Sequence, residues 1–316
     1  LAFKKGVIVG RIAAIINWIE IKEIKKNKVR FGWFDVVDDI AVSKLLLEQV
    51  VCFGKENKLD HIEGPVGFSN LDKAGLLTKG FEEPSTMITI YNYPYYATHL
   101  KELGFSLLAQ WVEYEIKIAN FEDSPEKVKR FSSVIMKRFN LKVLDFKNKK
   151  EIIPYIDQMF NLLDETYNKL QTFVPIQNYQ IEHYKKRYFK YVHKDFVKCV
   201  VDKNNRLIAF TITMPCFTRA LQRINGKVTL FNIYNLLKAM WFNNRASFYL
   251  IGVHPDYQNK GITAIIFNEI QKTFNKHNIT IVETNPELKE NTAIQKLWKN
   301  YENRQHKRRA TFTKNI

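Results

Sequence analysis

Two stretches of the chain, one near each end, run through the same succession of elements, and this internal repeat restricts the possible folds more than any single motif. In the C-terminal half, Phe196 to Val201 and Arg206 to Met214 are β-rich runs separated by the polar cluster Asp202-Lys203-Asn204-Asn205, which predicts a hairpin. A third strand is expected over Ser247 to Val253. The stretch His254-Pro255-Asp256-Tyr257-Gln258-Asn259-Lys260-Gly261 then breaks the pattern, and Ile262, Ile266, Ile270 and Phe274 recur at helical spacing. A short strand from Ile279 to Val282 follows, with the turn Glu283-Thr284-Asn285-Pro286 and a helix from Asn291 whose apolar face is Ile294, Leu297, Trp298 and Tyr301. The end, Ala310 to Lys314, is strand-like.

The N-terminal half repeats this order. Leu1 to Lys5 and Gly10 to Asn17 match the hairpin, Arg30 to Val37 the third strand, Asp39 to Glu56 the helix and Glu63-Gly64-Pro65 the turn. Gly10-Arg11-Ile12-Ala13 is similar to Arg206-Leu207-Ile208-Ala209, and the spacing from helix to turn agrees within one position. One loop distinguishes the copies: the first passes directly from Asp38-Asp39 into Ile40-Ala41-Val42, with nothing like Tyr257 to Ile262. A boundary is expected near Asn120 to Glu126, where Ser124 can cap a helix that has Pro125 at its first position, with the strand Leu141 to Phe146 beyond it. This divides the chain into an α/β (α+β) unit over 1–123 and another over 124–316, each a mixed, mostly antiparallel sheet flanked by helices. Leu1 stands in what reads as the tail of a strand, which points to a segment upstream.

Composition supports two folded units. At roughly 150 residues per domain, 316 residues make about two, and 46% hydrophobic with 14% aromatic content excludes a disordered or fibrous chain. Cys52, Cys199 and Cys216 are too few and too scattered for a disulfide framework or a thiolate zinc site, so a reducing, cytoplasmic setting is expected. No window approaches the ~18 apolar residues of a membrane span, and the N-terminus has no signal-peptide pattern. The formal charge of +17 attracts polyanions, nucleic acid among them. The basic runs Lys22 to Arg30, Lys127 to Lys150, Lys185 to Lys190 and Arg304 to Arg309 nevertheless read as solvated surface, so a nucleic-acid partner is not favoured.

The loop that separates the copies carries the chemistry. Gln258-Asn259-Lys260-Gly261-Ile262-Thr263 follows a strand and opens a helix, whose first turn has unpaired N–H groups at a positive dipole end. A diphosphate seated there gains several hydrogen bonds without any particular side chain, and Gly261 allows close approach of the backbone. The pattern resembles the acetyl-coenzyme A loop of the GNAT acetyltransferase superfamily, with Thr263 where that family has Gly or Ala. Asn291-Thr292-Ala293-Ile294-Gln295-Lys296-Leu297-Trp298 is similar to the family's later cofactor-side helix. The resemblance covers roughly 141–316, and the first half resembles a degenerate second copy. It implies two tandem GNAT-like units, with acetyl-coenzyme A or another acyl-coenzyme A as donor and a small-molecule amine as acceptor. Ile251, Gly252 and Val253 would offer backbone groups to the pantetheine arm. Gln258 to Thr263 would hold the pyrophosphate, and Asn291 would approach the arm.

Transfer to an amine needs a neutral amine, a polarised thioester carbonyl and an acid for the departing thiolate. Many GNAT enzymes use a Tyr of the last helix as that acid; Trp298 stands here, so Tyr301 and Tyr249 are the candidates of the right chemical type. Glu283, ending a strand at the cleft, is the candidate base or amine-orienting group, with a capping role as its alternative. His254 reads as a solvent-facing loop residue, and no histidine lies near another or near carboxylates at metal-ligand spacing, so no metal is expected. The absence of a nucleophile signature agrees with direct transfer. The insertion Arg219 to Arg245, with Leu236, Leu237, Met240 and Trp241 at helical spacing, packs on the first unit or lids the substrate. Two other readings stand beside the acyltransferase: a transferase like the Fem ligases, which take their acyl group from charged tRNA, and an inactive binding module that kept the fold.

Overall fold

The computed structural model describes residues 1–316 except 70, 124–125, 169–172, 190–191, 226, 228, 230–231, 292–294 and 296. Lys5 and Gly6, both with positive φ (50° and 79°), make a tight turn between β1 (Ala2–Lys4) and β2 (Val7–Ile15). The second strand therefore starts three residues before the expected Gly10. After α1 (Trp18–Lys22) come β3 (Lys28–Val36) and α2 (Ile40–Glu56), which buries Val42, Leu46, Leu47 and Val50 on one face. Next are β4 (His61–Gly64), β5 (Leu76–Lys79), α3 (Tyr95–Glu102) and β6 (Ser106–Lys117).

The second half begins with α4 (Glu126–Phe139) and β7 (Lys142–Leu144); the expected cap Ser124 and Pro125 lie outside the described residues. It continues through α5 (Ile153–Tyr167), α6 (Asn178–Tyr188) and the expected hairpin of β8 (Val197–Val201) and β9 (Leu207–Pro215). The insertion supplies α7 (Thr218–Arg223) and α8 (Ile233–Trp241) before β10 (Arg245–Val253). Then come α9 (Ile262–Lys276), β11 (Ile281–Glu283), β12 (Glu287–Leu288) and β13 (Asn303–Asn315).

The strands form one mixed sheet in the order β1-β2-β3-β4-β13-β6-β11-β10-β9-β8-β7. β13, from the end of the chain, pairs with β4 and β5 of the first half; β6, from the first half, pairs with β11 and β12 of the second. Those two long strands also pair with each other, from Asn303↔Ile116 to Thr313↔Ser106. Each half thus takes its closing strand from the other, and a cut between residues 123 and 124 leaves neither sheet complete.

The exchange explains a correction to the charge reading. The run Arg304 to Arg309, expected on a solvated face, lies within β13, where Lys307 and Arg309 are fully buried. Glu113 of β6 stands 3.2 Å from the Lys307 ammonium and 2.6 Å from the Arg309 guanidinium. Lys28 and Arg30 of the run Lys22 to Arg30 are buried in the same manner, with Glu20 at 3.0 and 2.8 Å and Glu63 also on Lys28. Charges at such depth persist because they are paired. The apolar core is segmented. One cluster under α2 and α3 holds Phe31, Leu46, Leu100 and Phe312, and others lie beneath α5 and α9 in the second half.

Candidate functional site

β10 and β11 run parallel and paired only from Arg245↔Ile281 to Ser247↔Glu283. β10 then continues along β9 as far as Val253↔Ala209, with a register shift between Phe248 and Leu250 that places Tyr249 at a bulge. Beyond the bulge β11 has ended, so β10 has a free edge. Ile251 and Val253 turn their carbonyls to that edge, whereas the N–H of His254 still donates to Ile208 at 2.8 Å on the β9 side. Gly252 is needed there, since a Cβ would meet the Phe210 ring at 2.8 Å.

The edge already has partners from α5 and from the loop. The Tyr167 hydroxyl donates to the Ile251 carbonyl at 3.1 Å, and Thr166 Oγ1 and Gln258 Nε2 donate to the Val253 carbonyl at 3.3 and 3.2 Å. Burial pushes the Tyr167 phenol up to about 12, against the opposing pull of its bond to Ile251. At the apex the Asn285 side chain donates to the Tyr249 carbonyl, tying the end of β11 to the bulge. None of Thr166, Tyr167 and Asn285 was singled out from sequence. Asn285 lay within a turn already identified, while α5 offered only an amphipathic pattern.

The loop reaches α9 through Asn259 and Gly261, both with positive φ (59° and 80°). Gly261 is the N-cap of α9, with no side-chain capping bond and no acidic residue in the first turn. The N–H of Ala264 donates to the Gly261 carbonyl at 2.9 Å, which leaves the N–H groups of Ile262 and Thr263 to face an anion. Gln258, Asn259 and Lys260 are exposed, Gly261 and Thr263 half-buried; Ile262 is core, so only its backbone can serve a ligand. His254 is a correction: it is 7% exposed, not solvent-facing. Its Nδ1 accepts from Asp256 N at 3.2 Å, and its Nε2 meets the Arg206 guanidinium and, at 3.4 Å, Glu165, which pins the entry to the loop.

The first half lacks both features. Past Arg30↔Glu63 its strands stay together: Val66 N donates to Phe31 O at 2.8 Å, and a Cβ on Gly32 or Gly64 would meet backbone oxygen at 2.5 or 2.4 Å. Where the second half has Gly261, the first has Asp39, whose carboxylate accepts from Ala41 N at 3.0 Å. A carboxylate there fills the helix start with negative charge and repels an anion.

The expected proton-transfer residues divide. Glu283 sits at the last paired position of β11, 6% exposed, bonded to Lys307 and 3.4 Å from His306. Burial would raise its pKa, but His306 and Lys307 outweigh it and hold the carboxyl below its ordinary value. Glu283 is thus ion-paired at the end of β11. Tyr301 packs near Phe267, and burial pushes its phenol up to about 12, which weakens it as an acid. Tyr249 is half-buried at the apex. Asn291 is exposed, and much of the helix expected after it, Ile294 included, lies outside the described residues. Trp298 is buried against Phe248 and Phe267, and its indole N–H donates to Glu287 at 2.9 and 3.2 Å. Burial pushes Glu287 up to about 8, so this carboxyl, which sequence reasoning missed, exchanges its proton near neutrality.

Folding brings His277 to His193 and Asp195, which are neighbours in sequence, and separately gathers Glu113, Glu283 and His306. Asp195 is already bound by Lys194 at 2.7 Å, Lys276 at 2.8 Å and His277 at 3.0 Å. Those partners outweigh burial and drive its pKa far down. Glu113 and Glu283 are held by Lys307 and Arg309. In both groups the carboxylate charge is answered from within the chain.

The two α/β units together have a GNAT-type fold in tandem, as the sequence resemblance implied. The chain superposes on a GCN5-related N-acetyltransferase from Sphaerobacter thermophilus with a TM-score of 0.52 at 6% identity, covering 97% of this chain and 76% of that one. For a tandem GNAT protein from the clavulanic acid biosynthesis pathway, in a structure without acetyl-coenzyme A, the TM-score is 0.53 at 9% identity, with 99% and 81% covered. In sequence it is 24% identical over 326 positions to Protein YghO of Escherichia coli strain K12, covering all of this chain and 81% of that protein. No family model matches. Among the described residues, no helix is long and apolar enough to cross a membrane.

Proposed function

We propose that the chain is an acyl-coenzyme A-dependent N-acyltransferase, working through its second half on a small-molecule amine by direct transfer. The observation that carries this reading is the contrast between the halves. The second keeps an open strand edge beside a helix start with no side-chain cap, and the first closes the edge and caps its helix with Asp39. A closed corner is the cheaper structure, so the open one needs a reason, and a diphosphate with a peptide-like arm fits both features.

In this reading the backbone of Gly261, Ile262 and Thr263 holds the diphosphate, with Gln258, Asn259 and Lys260 around it, and Lys260 supplies positive charge. Ile251, Gly252 and Val253 pair with the arm once Tyr167 and Gln258 release their carbonyls, and Asn291 approaches from the far side. The bound donor supplies an activated thioester, acetyl or longer. Tyr249 and Asn285 set the apex, where a backbone N–H can polarise the carbonyl. Glu287 is assigned as proton donor to the departing thiolate, since a group titrating near 8 matches a thiol of pKa about 8.5. The Trp298 indole then stabilises the carboxylate left behind until it regains a proton, through solvent, from the amine nitrogen as the amide forms. Glu283 keeps Lys307 neutralised beneath the apex.

Three free cysteines, Cys52, Cys199 and Cys216, suit a reducing compartment such as the cytoplasm. The test is release of free thiol from acetyl-coenzyme A across a panel of amines. Amine-dependent release that is lost in Glu287→Gln supports the assignment. Donor binding with no turnover on any amine favours the inactive module, and transfer from charged tRNA in its place favours the Fem-like reading.

A further inference from the structure

The segment 216–244, between β9 and β10, contains four Arg and Lys residues and no Asp or Glu. A hairpin connection needs only a few residues, so the insertion is an addition to the fold. Its α7 and α8, with the start of β10 and the end of α9, surround an open cavity of ≈ 590 Å³. Arg219 and Arg223 of α7 and Lys238 of α8 line it, with Asn235, Trp241 and Phe242, and among the described residues no carboxylate lines it. The two other basic groups on the wall are already paired, Arg245 with Glu115 at 2.5 Å and His277 with Asp195 at 3.0 Å. The cavity lies at the C-terminal end of α9, a helix length from the Gly261 loop, so it is separate from the donor site.

The exposed face of α8, which runs to the rim of this cavity, is apolar. Tyr234, Leu237 and Trp241 share one helical face and are 67%, 47% and 54% exposed, and Phe242 just beyond is 80% exposed. We propose that this end of the molecule docks on an anionic phospholipid surface, with a phosphodiester head group in the cavity between Arg219, Arg223 and Lys238 and the apolar face of α8 in the interfacial layer. Aromatic rings with cations beside them are what a helix lying in the headgroup region requires. A second copy of the chain is a poorer occupant. A two-fold contact would set the acid-free segment against itself, and one nine-residue helix falls short of the roughly 800 Å² per partner of a stable interface. The proposal does not depend on the acyl-transfer reading.

The test is co-sedimentation of the 316-residue chain with vesicles of phosphatidylcholine alone and with phosphatidylglycerol added, at two salt concentrations. Binding is expected only with phosphatidylglycerol and is expected to weaken as salt rises. Arg219→Gln with Arg223→Gln should weaken it about 25-fold, at about fivefold per cation near an anionic surface. Trp241→Ala with Phe242→Ala should release the protein from vesicles. Unchanged thermal midpoints in both variants guard against unfolding as the cause. Equal binding to both vesicle types, no binding to either, or full affinity in the Arg double variant overturns the proposal. Full competition by glycerol 1-phosphate at vesicle-equivalent concentration also overturns it, because the occupant would then be a soluble phosphoester.

Discussion

The side-chain amide of Asn285 donates to the backbone carbonyl of Tyr249, joining the end of β11 to the bulge of β10 where the two strands part. Without this bond the apex of the opening has no fixed width. Asn285→Asp replaces the donor by a carboxylate that faces a carbonyl. It should cost about 1–3 kcal/mol of stability and lower kcat for acyl transfer at least tenfold. Urea unfolding and steady-state kinetics check both, and wild-type values for either would remove the latch role.

Gly261 holds φ at 80°, and a Cβ there would meet Ile135 Cδ1 at 2.6 Å. Since the Ile135 side chain can yield, the main cost of Gly261→Ala is the left-handed backbone, about 1–2 kcal/mol. A thermal melt should show that loss together with a smaller stabilisation by coenzyme A. Asp39→Gly, at the matching place in the first half, should leave coenzyme A stabilisation unchanged.

The Tyr167 hydroxyl occupies the Ile251 carbonyl that the proposed donor arm would need. Tyr167→Phe keeps the ring and removes the competitor, so donor affinity by calorimetry should tighten, up to about fivefold for one hydrogen bond of roughly 1 kcal/mol. Weaker binding would mean that the hydroxyl serves the ligand instead of opposing it.

Glu287 titrates near 8 in the folded chain and, as an ordinary glutamate, near 4.3 when unfolded. Between these values the folded state keeps a proton that the unfolded state has lost. Its contribution is therefore complete below about pH 4.3 and declines as pH rises through 8, by up to about 1.4 kcal/mol per pH unit. Glu283 works in the opposite direction: its lowered pKa gives stability that is present above the glutamate range and lost on acidification. Chemical denaturation at pH 5, 6.5 and 8 should show a flatter profile for Glu287→Gln than for the wild type. Parallel profiles would contradict the buried neutral carboxyl.

Strand exchange makes each half dependent on the other. A chain beginning at residue 124 would lack β4, β5 and β6, leaving one edge of β11 and both edges of β13 unpaired. It should be insoluble or aggregated, whereas co-expression with residues 1–123 should restore a soluble complex. A monomeric, cooperatively melting fragment 124–316 would count against this dependence.

The hairpin of β8 and β9, the strand β10 and the helix α9 were legible because alternation, turn residues and 3.6-residue spacing are local signals. The exchange was not. β6 and β13 acquire their partners from residues about 190 positions away, and the charges of Arg304 to Arg309 disguise a central strand as surface. Nothing local reveals that Glu113 awaits Lys307 and Arg309. For the site, the loop was readable from Gln258 to Thr263 because its backbone requirement falls on a glycine. Glu287 was not, since its altered proton affinity comes from burial beside Trp298, a property of the packed molecule alone.

The most direct test of the account is a crystal structure with acetyl-coenzyme A. The diphosphate is expected against the main-chain N–H groups that follow Gly261, with the arm along Ile251 to Val253 and the thioester below Tyr249. Diphosphate bound elsewhere on the chain, or a Gly261 loop that remains empty at saturating ligand, would contradict it.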